Sequence, residues 1–314
     1  MGKHANLKYQ FFTAIEDAFS GPHGGYGADK HSIKGTANNH HDKIYSFAAR
    51  NNLIDTAGNF CAFMKEKYPE IKMLRDINVI HINHFLKSKT NVSQLTLNQI
   101  ASRINTLERI SNKHYHQNVD WHTGRKIPDA SILSRRAGAC FTNVQKEMLL
   151  AHLDGKKDCF GKNGVLIASN FGLRASEITN LKAKDIFRDH IHVHAGKGGR
   201  HRDITITPAQ HNFLKNMAKG LNPNDRLIPI RPMAVSGYLR VCCKALSLTE
   251  PSFKTILDSK SSIHAMRKNY ATNLYNSERT SGKSHEKAME VVMNNLGHSA
   301  NREPLFQTYC CNKV

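Results

Sequence analysis

Residues 186–207, IFRDHIHVHAGKGGRHRDITIT, alternate apolar and polar side chains about a glycine-rich turn, in a chain whose other apolar positions recur with helical period. A period of two puts alternate side chains on opposite faces of an extended ribbon, and Gly198-Gly199 lets the chain reverse. The stretch therefore predicts one antiparallel β-hairpin. Flanked on both sides by helical patterns, a lone hairpin cannot grow into a large sheet. The expected fold class is mainly α with a small antiparallel β element.

At 314 residues with 39% hydrophobic content, the chain is long enough for two domains. Residues 5–19 (ANLKYQFFTAIEDAF) have a helical rhythm and run into the glycine-rich stretch Ser20 to Gly27, so 1–37 reads as a leading helix and flexible joint. Residues 38–117 read as an all-helical domain. Within it Leu97, Ile100, Ile104, Leu107 and Ile110 form an amphipathic stripe. Residues 118–138 lose periodicity and gain Gly, Pro and basic residues, as an interdomain linker would. A second, mixed α+β domain is expected over 139–314. It opens with Thr142-Asn143-Val144-Gln145, a capping-box pattern that starts a helix. Further helices are expected over Val165–Ser169 and from about Ala175, and the chain from Pro208 onward reads as mainly helical.

The formal net charge is +20, from 45 Lys and Arg against 25 Asp and Glu, with 19 histidines besides. Such an excess favours polyanions, because each neutralised phosphate releases counterions. Seven cysteines (61, 140, 159, 242, 243, 310, 311) form no CxxC pair, which suits reduced thiols better than a disulfide framework. No apolar run approaches the roughly 18 residues of a membrane span, and the N-terminus lacks the apolar core of a signal peptide. Although the chain opens Met1-Gly2, Asn6 stands where a myristoylation signal wants Ser or Thr. The expectation is a cytoplasmic, DNA-associated protein with no membrane partner.

Five local motifs in the second half carry chemistry. Arg174 and Glu177, in GLRASE, are three apart on a helix start and share a face. Alone they could be a surface ion pair. Alternatively, Arg174 grips a phosphate bidentately while Glu177 holds its neighbours in place. His264 and Arg267, in HAMR, are also one turn apart. A second guanidinium matters because phosphoryl transfer spreads negative charge over the non-bridging oxygens, which two preorganised cations can clamp. Lys197, at the hairpin tip, could be a solvated turn lysine or a general acid placed beside a leaving oxygen. Arg200 and Arg202 beside it read as DNA contacts. His298 follows the helix-terminating Gly297. Tyr309 is the only tyrosine after His298. A free phenol, with a pKa near ~10, needs cationic neighbours to act as a nucleophile. Tyr270 and Tyr275, following HAMR, read instead as packing residues of that helix.

In this order and spacing, Arg174, Lys197, His264, Arg267, His298 and Tyr309 resemble the active site of the tyrosine recombinases, the family that includes phage and mobile-element integrases. The resemblance runs from about residue 140 to 309. It implies that residues 38–117 are a core-binding domain and 139–314 the catalytic domain, which together clamp duplex DNA at a specific attachment or recombination site. Tyr309 would attack the scissile phosphate, form a 3′-phosphotyrosyl bond and free a 5′-hydroxyl. Arg174 and Arg267, with His264 and His298, would stabilise the pentavalent state, and Lys197 would protonate the leaving oxygen. The covalent link stores the bond energy, so no cofactor and no metal are expected. Strand exchange would proceed in a homo-tetramer on two DNA sites, with accessory DNA-bending proteins as further partners. The biological task expected is integration or excision of a mobile element or phage.

The spacing departs from the family's usual pattern in two places. Tyr309 stands eleven positions after His298, more than the family usually shows, so Asn301–Pro304 reads as a lengthened loop and leaves delivery of the tyrosine in cis or in trans open. Five residues follow Tyr309, too few for a docking helix, which leaves the helix at 5–19 as the candidate for contacts between protomers. Other readings are type IB topoisomerase-like relaxation by the same chemistry and a DNA-binding regulator without catalysis. A metalloenzyme reading comes from His190, His192 and His194, which a strand would project from one face in a geometry compatible with zinc. Histidines on a hairpin beside DNA explain them as well, and no nearby carboxylate pattern completes a site.

Overall fold

A computed structural model describes residues 6–19, 43–89, 91–129, 139–194, 201–258, 262–298 and 303–310. The chain divides into two units, Met1–Arg136 and Ala137–Val314. The described residues are mainly helical, with one two-stranded antiparallel sheet, the fold class expected.

The first unit holds α1 (Leu7–Ala18), α2 (Phe47–Lys67), α3 (Val79–Lys87) and α4 (Gln94–Tyr115), with a 3-10 turn at Leu74–Asp76. Asn6 caps α1 by accepting from the Lys8 amide, and Ser93 caps α4 from its hydroxyl. The apolar face of α1 (Leu7, Phe11, Ala14, Ile15) is buried against α2 and α4. The Phe11 ring meets Phe60 edge-on at 6.1 Å and Trp121 at 5.9 Å. The leading helix expected over 5–19 thus packs into the core of the helical unit that follows it. Its apolar stripe is spent on the unit's own core and cannot also serve a neighbouring protomer. The segment expected to follow it as a joint, 20–37, lies outside the described residues.

Much of the stretch read as a linker also belongs to this unit. Asn112 holds both polar groups of the Val119 backbone, Glu108 accepts from the Trp121 amide at 2.9 Å, and the fully buried Trp121 indole donates to the Ile77 carbonyl at 3.0 Å. Loss of periodicity marked the end of the helices but not the end of the core, because one large aromatic in an irregular segment can be buried without any repeat. Residues 130–138 lie outside the described residues.

The second unit opens with α5 (Asn143–Asp154), whose capping box joins the side chains and amides of Thr142 and Gln145 as expected. It continues with α6 (Phe160–Phe171) and α7 (Ala175–Asn180), a 3-10 turn at Ala183–Asp185, and the strands β1 (His190–Val193) and β2 (Arg202–Thr205). The helices α8 (Pro208–Met217), α9 (Pro232–Leu246), α10 (Phe253–Asp258), α11 (Ser262–Thr280), α12 (His285–Asn295) and α13 (Glu303–Tyr309) complete it. Central in the core is α9, whose Val235, Leu239, Cys242 and Cys243 face α6, α7, α10 and α11. A smaller apolar cluster built from Tyr275 of α11, Val292 and Met293 of α12, and Phe306 seats α13.

In the hairpin Ile191 pairs with Ile204, His192 with Asp203, and Val193 with Arg202. Pleating then sends Ile191, Val193, Arg202 and Ile204 to one face, and His190, His192, Asp203 and Thr205 to the other. Ile191, Val193 and Ile204 are buried. Arg202 therefore starts on the core side of the ribbon. The tip residues Lys197 and Arg200 lie outside the described residues.

Candidate active site

One carboxylate organises the site. Glu177 is the third residue of α7, and its side chain reaches back to the Arg174 amide at 2.9 Å, closing the first turn of the helix. The same carboxylate accepts from Arg174 Nη1 at 2.7 Å and, through both oxygens, from Arg202 at 3.1 and 2.9 Å. Arg267 Nη1 stands 3.7 Å away. Burial alone would raise the Glu177 pKa, but the hydrogen bonds and charge of Arg202, the charge of Arg267 and the Arg174 amide outweigh it and bring it down to about 2. Three permanent cations on one anion leave an excess of two positive charges.

Arg267, on α11, has no exposed surface. Its Nη1 donates to the Gly172 carbonyl at 2.6 Å and its Nη2 to the Leu296 carbonyl at 2.5 Å. Both acceptors lie at helix C-terminal ends, where the peptide dipoles present negative charge. The chain turns out of those ends through two left-handed glycines, Gly172 at φ 60° and Gly297 at φ 71°. A Cβ on Gly172 would lie 2.3 Å from the Tyr270 ring, and one on Gly297 2.9 Å from Arg202 Nη1. Burial, with the Arg174 charge second, lowers the Arg267 pKa to about 10, so the guanidinium stays charged at neutral pH but under electrostatic stress. Its Nε has no hydrogen-bond partner among the described residues.

Tyr309 ends α13 and is 4% exposed. Its hydroxyl lies 3.3 Å from His298 Nε2, and that nitrogen is 3.0 Å from Arg174 Nη2. A guanidinium can only donate, so the single lone pair of His298 Nε2 is taken by Arg174 at 3.0 Å, with the phenol oxygen at the longer distance of 3.3 Å. The phenol ring lies 5.1 Å from the His264 ring and 5.3 Å from the His298 ring, with the Arg267 guanidinium 5.4 Å from its centre.

The structure thus brings Arg174, Glu177, His264, Arg267, His298 and Tyr309 into one cluster. Tyr309 lies beside His264 and His298 of its own chain. Lys197 and Arg200 fall outside the described residues. Arg202, expected as a DNA contact, is largely buried. It is 8% exposed and binds Glu177 and the Asn295 carbonyl, the latter at 2.8 Å. The signal was present in the sequence: Arg202 shares parity with Ile204 and Ile206, the inward-facing positions of its strand. The backbone acceptors Gly172, Asn295 and Leu296 left no comparable signal, since any residue carries a carbonyl. Tyr270 and Tyr275 pack as expected, their hydroxyls on Asn295 and His285 at 3.1 and 2.7 Å.

The phage integrase family model matches residues 140–303, just over half of the chain. No curated protein matches the sequence. Among solved structures, the XerH site-specific recombinase bound to palindromic difH substrate is similar over 98% of this chain and 94% of its own, at 15% identity and a TM-score of 0.63. The Tn1549 transposon integrase in complex with transposon right end DNA matches over 97% and 95%, at 13% identity and a TM-score of 0.57. A lambda integrase dimer bound to a COC' core site matches over 84% and 71%, at 14% identity and a TM-score of 0.56. At these identities the likeness is one of fold.

Proposed function

The chain belongs to the phage integrase family of tyrosine recombinases, and from that premise we propose that it cuts and rejoins duplex DNA through a 3′-phosphotyrosyl bond made by Tyr309. The observation that carries the reading is the contact chain Tyr309 hydroxyl, His298 Nε2, Arg174 Nη2, with Arg267 against the same phenol ring. As Arg174 turns from His298 to the incoming phosphate, the lone pair of His298 Nε2 is freed to accept the phenol proton, and the phenolic oxygen bonds to phosphorus. The bond from phosphorus to the 5′-oxygen breaks, and Lys197 supplies the proton to that oxygen. The reverse attack by a 5′-hydroxyl of the partner strand reseals the DNA and releases Tyr309. Cleavage exchanges one phosphodiester for one phosphotyrosine and resealing exchanges it back, so the cycle needs no ATP, and the guanidinium groups would stabilise the charge on the phosphate oxygens without a metal.

Exposure sorts the arginines into different tasks. At 16%, Arg174 is the guanidinium a phosphate oxygen reaches, whereas Arg202 and Arg267, at 8% and 0%, hold the frame. An incoming phosphate would offset the excess positive charge around Glu177 and relieve the stress on Arg267. His264, against the Tyr309 ring, would donate to a non-bridging oxygen. The first unit would serve as the core-binding domain. The net charge of +20 supports a polyanionic partner.

We place the reaction in the integration or excision of a mobile element or phage, carried out by a homo-tetramer on two attachment sites with accessory DNA-bending proteins. A nicked suicide substrate bearing the element's end tests the chemistry. Wild-type protein is expected to leave a covalent adduct on a denaturing gel in EDTA, and Tyr309→Phe to leave none. Tight binding with no adduct from either would overturn the catalytic reading.

A further inference from the structure

The outer face of the hairpin carries a cluster that the proposed reaction does not use. His192 stands opposite Asp203, and the next outward pair in that register is His194 with His201. The His192 and His194 rings are 4.4 Å apart, and each lies 5.7 Å from the His201 ring. One ring nitrogen from each comes within 4.8 Å of the other two. His190, which the sequence grouped with these residues, stands apart, paired with Asp189 at 2.8 Å and stacked on Phe187.

The carboxylates that the sequence did not show beside these histidines come from pairing and from the preceding turn. Asp203 holds His192 Nδ1 at 2.6 Å, and Asp185 holds His194 Nε2 at 2.7 Å. Asp185 is itself fixed: its side chain is 3% exposed, and its other oxygen accepts from the Lys182 amide at 2.9 Å. A carboxylate on one imidazole nitrogen sets the ring's orientation and tautomer and leaves the other nitrogen as a lone-pair donor, the arrangement that supports metal-ligating histidines.

We infer that His192, His194 and His201 form a binding site for a divalent transition metal of the zinc type, with a fourth position open to water or an outside ligand. Imidazole donors suit zinc, copper and nickel, whereas magnesium and calcium seek oxygen. Zinc–nitrogen bonds of about 2.0–2.1 Å in a tetrahedral site set the nitrogens about 3.3 Å apart, so the rings must close in by up to about 1.5 Å. The side chains of His192 and His194 are 29% and 45% exposed, which leaves them room to turn. The ion would tie β1 to β2 where the chain enters the segment bearing Lys197. The site lies on the ribbon face opposite Arg202 and plays no part in the Tyr309 chemistry, so it stands or falls independently of the recombinase reading.

The test uses the untagged full-length chain, stripped with chelator and dialysed. Zn²⁺ is titrated against a chromophoric indicator, and Co²⁺ is followed by its visible spectrum. One tight equivalent is expected, with intense four-coordinate cobalt bands. His194→Ala and His201→Ala should each weaken it by about 100-fold or more. Asp203→Asn, which removes only an orienting carboxylate, should weaken it by about 10-fold. His190→Ala should change nothing, and circular dichroism should show every variant folded. Absence of a saturable equivalent, or an equivalent that survives the combined His192→Ala, His194→Ala and His201→Ala change, overturns the site. Loss of DNA affinity in that triple variant without any bound metal in the wild type also overturns it, leaving the histidines as phosphate contacts.

Discussion

At Glu177 a carboxylate with 3% of its side chain exposed faces Arg174, Arg202 and Arg267, and no other anion among the described residues contacts them. Removing its charge leaves buried cations uncompensated, which costs about 3–5 kcal/mol. Glu177→Gln should therefore lower the unfolding midpoint in urea far more than a surface change, and abolish cleavage with it. The folded pKa near 2 lies below the ordinary 4.5. The ion network's contribution is thus complete above about pH 4.5 and is lost as pH falls towards 2, and urea titrations at several pH values should show this slope in the wild type and not in Glu177→Gln. Arg174→Lys separates chemistry from stability. The charge stays but the planar two-pronged donor goes, so adduct formation should slow by about 10²–10³-fold while the unfolding midpoint barely moves. A parallel loss of stability would mean that Arg174 is part of the frame. The helical pairs at this scale were legible because residues three apart share a helix face whatever the tertiary structure. Arg202, read as a DNA contact, is drawn to Glu177 because strand parity carries it to the core side of the ribbon.

At the scale of elements, the site depends on two helix ends that stop at the correct residue. Gly172 turns α6 so that its own carbonyl meets Arg267, and Gly297 turns the chain just after Leu296, whose carbonyl meets the same guanidinium. Gly172→Ala adds strain at positive φ and a Cβ 2.3 Å from Tyr270. It should cost at least about 1–3 kcal/mol and reduce adduct formation more than that instability explains, as measured at a temperature where the variant is fully folded. Glycine at a helix end is visible in sequence, and Gly297 was read so. What its turn aims at depends on α11, distant in sequence, and could not be read. The helix α1 shows the converse. Its periodicity was plain, but which core it serves was not, because an amphipathic stripe names no partner. Deleting residues 1–19 should unfold the first unit, seen as lost helicity and lost Trp121 burial by fluorescence. Intact fluorescence after the deletion would restore the idea of an independent arm.

For the molecule as a whole, the net charge of +20 predicts DNA affinity that falls steeply with salt. Each phosphate contact removed should reduce the slope of log affinity against log salt by about 0.9. Arg200→Ala should do so, whereas Arg202→Ala, already committed to Glu177, should lose stability instead and leave the slope unchanged. Hairpin, helices and the residue types of the candidate site were legible together because each rests on local spacing. The boundary between the units was not, since it depends on whether Trp121 finds a core. Tyr309, the proposed nucleophile, is 4% exposed and held against His298, so DNA binding has to bring phosphate and phenol together. The most direct test is the nicked suicide substrate run with wild-type, Tyr309→Phe and Tyr270→Phe proteins. A covalent adduct in the first and third, absent in the second, with the tryptic peptide around residue 309 carrying the nucleotide by mass spectrometry, is the predicted result. An adduct that persists in Tyr309→Phe would contradict the account.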